Sequence, residues 1–109
     1  MTKTLPPDFE WLTDMYNDPY YPPHLVDKIK MALEAVAEFL GNGDHTESEI
    51  QAVLDEATIQ INELDEEFYE ANSELETVAR ESIATTVQDM LLAFDVDIDI
   101  ETALAQREW

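Results

Sequence analysis

The chain has 109 residues and a formal charge of −21, with 26 Asp and Glu against 5 Lys and Arg, so it is one domain's length of strongly acidic protein. That balance repels nucleic acid, anionic membranes and nucleotides, and it attracts cations and basic proteins. The lack of cysteine excludes disulfides and thiolate metal sites, while 45% apolar residues supply a core that disordered acidic chains lack.

The expected fold class is all-α: a single domain over 1–109, a bundle of three main helices with a short C-terminal helix and an irregular aromatic arm over 1–23. In the arm, Pro6, Pro7, Pro19, Pro22 and Pro23 prevent a long helix. A short helix over 8–16, capped by Asp8, fits between them. Its aromatic residues, Tyr16, Tyr20 and Tyr21 among them, read as a lid packed over the bundle, since small domains use every large side chain they have. A ligand site is the alternative.

The first long helix is expected over 23–40, where Leu25, Ile29, Leu33, Val36 and Leu40 recur at helical spacing and Gly41 and Gly43 follow. The second, over 47–71, starts with the capping box Thr46-x-x-Glu49. It is roughly 37 Å long at 1.5 Å per residue. Its apolar stripe is Ile50, Val53, Leu54, Ala57, Ile61, Leu64 and Phe68, and its other face carries Asp55, Glu56, Glu63, Glu66, Glu67 and Glu70. A third helix is expected from Ser73, with Ser73 and Glu76 as a second capping box and Asn72 left-handed before it; one kinked helix is the alternative. Leu75, Val78, Ala79, Ile83, Val87, Met90, Leu91 and Phe94 spread over a wide arc, which predicts the most buried helix. Residues 95–100 alternate with period two and read as an extended connector with Val96, Ile98 and Ile100 inward. A last helix over 101–107 completes an up-down-up bundle.

Between Met31 and Ala79 there are fourteen Asp or Glu and no Lys or Arg. An acid-rich surface also suits a salty cell interior, where screening removes self-repulsion, so salt adaptation competes with binding as its explanation. Ile59 is the one large apolar residue on the acidic face of the second helix, ringed by Asp55, Glu56 and Glu63. It has the form of an interface anchor with a charged rim, although single exposed aliphatics are common.

Motifs for chemistry fail one after another. Asp95-x-Asp97-x-Asp99 begins like a calcium loop but has Ile100 and Gln106 where Gly and Glu are needed. Glu66, Glu67 and Glu70 resemble half of the magnesium signature of all-helical nucleotide pyrophosphatases, and no Glu-x-x-Asp follows. His24 and His45 are the only histidines, and neither has Glu three residues before it, as a di-iron bundle requires. Glu76 and Arg80 stand at i, i+4 with the acid first, which points to a structural ion pair.

The stretches 13–30, 63–68, 73–83 and 107–109 together resemble a family of small, acidic, helical bacterial proteins catalogued as a domain of unknown function. The resemblance implies an all-helical fold and a prokaryotic origin, and it supplies no activity, substrate or catalytic residue. Relatives often have Gly where Asn72 stands here. Its shared pattern includes Tyr20, Tyr21, Asp27, Glu76 and Arg80.

No run approaches 18 apolar residues and the first residues lack the apolar core of a signal peptide, so a cytoplasmic protein without a membrane span is expected. The leading functional expectation is a non-enzymatic protein-binding module, of the immunity type, that docks a basic protein through Asp55, Glu56, Ile59, Glu63, Glu66, Glu67 and Glu70. It requires no cofactor, metal or direct nucleic-acid binding. A DNA-mimic inhibitor is the second expectation, since helical carboxylates recur every 5–6 Å or so along a face. A divalent-metal enzyme using Glu63, Glu66, Glu67 and Glu70 is the third.

Overall fold

The computed structural model describes residues 5–109, so the first four residues of the expected arm lie outside it. Among the described residues the chain forms five helices and no strand: α1 (Thr13–Tyr16), α2 (Pro23–Gly41), α3 (Glu47–Glu70), α4 (Thr77–Ala93) and α5 (Ile100–Ala103). The all-α expectation holds.

Local chemistry sets the long helices. Pro23 occupies the first helical position of α2, where its missing N–H costs nothing. Thr46 Oγ1 accepts from the Glu49 N–H at 3.2 Å and Glu49 Oε1 accepts from the Thr46 N–H at 2.8 Å, so the expected capping box opens α3. Those same bonds, led by the one from the Thr46 backbone, hold the Glu49 carboxyl below its ordinary pKa. α2 and α3 pack closely side by side, α1 sits on α4 and α2, and α5 bridges α3 and α4. One continuous core results, with Ile29, Ile61, Phe68, Ile83 and Met90 fully buried at its centre. Each such side chain contributes about 1.5–3 kcal/mol by leaving water.

α3 ends as the sequence indicates. Asn72 takes φ 62°, the Ser73 N–H reaches back to Phe68 O at 2.8 Å and the Asn72 N–H to Tyr69 O at 3.0 Å. This is a Schellman motif with Asn at the left-handed position. Asn72→Gly should therefore stabilise the fold by up to about 1 kcal/mol, read as a higher urea midpoint at unchanged slope; an Asn72→Ala variant as stable as Asn72→Gly would count against the left-handed constraint. α4 ends in the same motif: Asp95 takes φ 58°, and the Val96 N–H reaches Leu91 O at 2.8 Å. Val96, Ile98 and Ile100 then lie half-buried against the core, as the alternation implied.

Four expectations are corrected. The helix expected over 8–16 is only the single turn of α1, because Leu12 is left-handed (φ 51°) and stands at its N-cap in place of Asp8. Leu12 is fully buried and its N–H donates to Thr86 Oγ1 of α4 at 3.2 Å, a tertiary bond that holds a conformation costing roughly 1–2 kcal/mol for a residue with a Cβ.

The second capping box does not form. α4 starts at Thr77 with Glu76 as N-cap and no capping bond from its side chain, and the buried Ser73 side chain makes no capping bond to α4 either. The Tyr21 hydroxyl takes over the role: it accepts the Ala79 N–H, third in α4, at 3.3 Å. Val78, expected in the core, is 40% exposed. The last helix, expected over 101–107, is shorter as well, with Asp99 Oδ2 accepting the Glu101 N–H at 3.1 Å to cap α5.

Candidate functional site

The outer face of α3 is where charge concentrates. Ile59 is 46% exposed, its neighbours Glu56 and Glu63 are exposed, and so are Glu66 and Glu70 further along the same face. A helix places residues three and four apart side by side, so these four carboxylates and one isoleucine share one ridge. The two other residues expected there are half-buried and engaged elsewhere. Asp55 Oδ1 accepts from Gln51 Nε2 at 2.9 Å. Glu67 Oε1 lies 2.6 Å from Lys28 Nζ of α2, which neutralises it.

The C-terminal residues fold back over α3, and no periodicity in the sequence indicated that. Two amides on α3 hold them. Gln51 Nε2 donates to Thr102 O at 2.9 Å. Asn62 Nδ2 donates to Gln106 O at 2.8 Å, and Asn62 Oδ1 accepts the Glu108 N–H at 2.9 Å. Arg107 pairs with Glu101 at 3.2 Å and lies 5.9 Å from the Trp109 ring centroid. Between this tail, α3 and the entry to α4 runs an open groove of about 640 Å³. Glu63 and Glu66 line it on one side, joined by Glu74, Glu76 and Glu108, with Tyr69 and Trp109 supplying apolar surface. The acidic ridge thus continues into an acidic groove.

Arg80 also lines that groove but does not pair with Glu76. The ion pairs among the described residues are Lys28–Glu67 and Arg107–Glu101. Arg80 Nη2 instead reaches Thr77 Oγ1 at 3.4 Å. Glu76 is the N-cap, with extended backbone angles, so its side chain does not rise from the helical face that an i, i+4 pair needs.

The aromatic arm is mostly structural. Tyr21 is 2% exposed and meets Phe68 edge-on. Tyr16 donates its hydroxyl proton to Asp27 Oδ1. Desolvation, then that bond and the Asp27 charge, raises its phenol pKa far above the ordinary value. Tyr20 is 40% exposed; its phenol is pushed up by desolvation and then by Glu76 and Glu74.

A family model described as a family of unknown function (DUF5713) matches residues 6–109. The chain belongs to this family. The match takes in the arm, the helices and the C-terminal tail, so the family's unit is nearly the whole described fold. No curated protein and no solved structure matches the chain.

In this member of the family the candidate metal residues do not converge. No group of three or more His, Asp or Glu among the described residues is placed to hold a metal ion. Glu66, Glu67 and Glu70 fail because Glu67 turns to Lys28. In the 95–99 stretch, Asp95 is the left-handed terminator of α4 and Asp99 caps α5. Another cavity, about 550 Å³, lies at the far end of the bundle and is lined by Leu40, Ile50, Phe94 and Val96 with Asp44 and His45. His45 stacks on Phe39 with ring centroids 3.8 Å apart, and its Nε2 lies 2.8 Å from Phe39 O. A carbonyl only accepts, so Nε2 carries the proton. No helix among the described residues is long and apolar enough to cross a membrane.

Proposed function

We propose that this chain is a non-enzymatic protein-binding module of the immunity type, acting in a bacterial cytoplasm, and that it docks a basic partner on the outer face of α3. The observation that carries this reading is the ridge itself. Glu56 and Glu63 flank an exposed isoleucine one turn to either side, Glu66 and Glu70 continue the same face along the helix, and Lys28 of α2 is already committed to Glu67. A desolvating apolar centre inside a charged rim is the anatomy of a protein interface. Uncompensated charge there speeds association with a basic surface and sharpens selection against acidic ones.

Two variants of equal net charge test it. Glu56, Glu63, Glu66 and Glu70 all changed to Gln should weaken oligolysine binding at least tenfold at low salt. A control with Glu34→Gln, Glu38→Gln, Glu81→Gln and Asp97→Asn, all exposed, should change it little. Equal losses in both would make the acidity a bulk property, as salt adaptation requires, and would remove the α3 face as a site.

A further inference from the structure

Beside the acidic ridge, α2 and α3 leave a shallow apolar groove of about 230 Å³. Small side chains make it: Ala32 and Ala57 are buried at its base and Ala35 is exposed at its edge, between the half-buried Phe39 and Val53. Glu56 and Gln60 form the α3 rim. Nothing among the described residues covers it. Met31, 66% exposed and one turn before Ala35, borders the α2 side, and Ile59 stands next to Gln60 on the other. Beyond each end lies a contact between the same two elements or their loop. Lys28 and Glu67 meet at 2.6 Å past one end, and Phe39 stacks on His45 at the other. The lining runs from Ala32 to Phe39 on α2 and from Val53 to Gln60 on α3, about 11 Å at 1.5 Å per residue, or about two helical turns.

Size and charge select the occupant. The volume is below the range of roughly 300–1,000 Å³ typical of small-molecule sites, so it suits anchor side chains. A second copy of this chain would bring net charge −21 against the same charge, and nucleic acid would be repelled in the same way. We infer that the α2–α3 groove receives one face of a basic amphipathic helix, with about two turns in contact. Its apolar residues at i, i+3/i+4 and i+7 enter between Ala35 and Val53, and its Lys or Arg residues meet Glu56 and Glu63. This deepens, and rests on, the reading of the α3 face as a docking surface. Helix-in-groove recognition supplies the mode, and a third helix lying on a packed pair follows ridges-into-grooves geometry.

Two synthetic Leu/Lys peptides of identical composition test the inference by fluorescence anisotropy in about 0.15 M salt. One has its leucines on a single helical face; the other is scrambled. The amphipathic peptide should bind at least tenfold tighter. Ala35→Trp, which fills the groove from an exposed position, should abolish that advantage and leave binding of the scrambled peptide unchanged. Circular dichroism checks the fold, and Gln60→Trp serves as a second block should Ala35→Trp misfold. Equal affinity for both peptides, or an unaffected advantage in both Trp variants, overturns the groove while leaving the acidic face standing. Failure of either peptide to bind at any salt concentration removes the acidic-face reading itself. Self-association relieved by Ala35→Trp would assign the groove to a second copy and overturn the inference.

Discussion

Tyr21→Ala should cost about 3–5 kcal/mol of unfolding free energy, the range for deleting a large buried aromatic side chain. Tyr21 is 2% exposed, its ring meets Phe68 at 6.4 Å and Tyr20 at 5.1 Å between centroids, and its hydroxyl caps α4 through the Ala79 N–H. Tyr21→Phe keeps the ring and removes only the acceptor, so it should cost about 1 kcal/mol. Urea unfolding of both variants separates packing from capping. A Phe variant as stable as the wild type would show that the hydroxyl contributes nothing to α4.

The same residue gives the alkaline response its sign. The Tyr21 phenol pKa is raised, chiefly by desolvation, and that of Tyr16 more strongly so. A raised folded-state pKa means that the folded chain retains protons that the unfolded chain has lost. The contribution is complete below the ordinary phenol pKa of about 10 and is lost as pH climbs above it. Tyr16→Phe should therefore flatten the fall in stability above that pH.

Thr86→Val should cost about 1–3 kcal/mol, because it leaves the buried Leu12 N–H without an acceptor while conserving side-chain shape. Thr86 is 4% exposed; its hydroxyl donates to Ser82 O at 2.8 Å and accepts from Leu12 N at 3.2 Å. Valine cannot accept, and Leu12 is in a left-handed conformation that depends on that bond. Thr86→Ser restores the hydroxyl and should recover most of the loss. If Ser and Val variants unfold at the same denaturant concentration, the Leu12 bond carries no weight and the cost of Thr86→Val is one of packing alone.

These two sites also show where sequence reading stopped. Pro23, Thr46 and Glu49 act on their own neighbours, so the starts of α2 and α3 were legible to the residue. The left-handed turn at Asn72 was legible for the same reason. The start of α4 was not, since Ser73 and Glu76 carry the right spacing while the acceptor used comes from Tyr21, 58 positions away. Nor was the truncation of the arm helix, which depends on Thr86, 74 positions from Leu12. The acidic ridge followed from helical periodicity, and Glu56, Ile59, Glu63, Glu66 and Glu70 are exposed as that periodicity implies. The neutralisation of Glu67 by Lys28, 39 positions apart, did not. The groove walls given by Glu108 and Trp109 depend on Asn62 clamping the tail, a long-range amide contact with no local signature.

The bond between Leu12 and Thr86 and the one between Tyr21 and Ala79 have a further consequence for how the molecule opens. They tie the arm to α4 across the α2–α3 hairpin, whose two helices follow one another in the chain. The hairpin is one candidate cooperative unit, and the arm with α4 is another, discontinuous in sequence. In native-state hydrogen exchange, the Leu12 and Ala79 amides should share one opening free energy, distinct from that of mid-helix amides in α2. A ligand seated between α2 and α3 would then raise protection in the hairpin first and leave the arm to breathe.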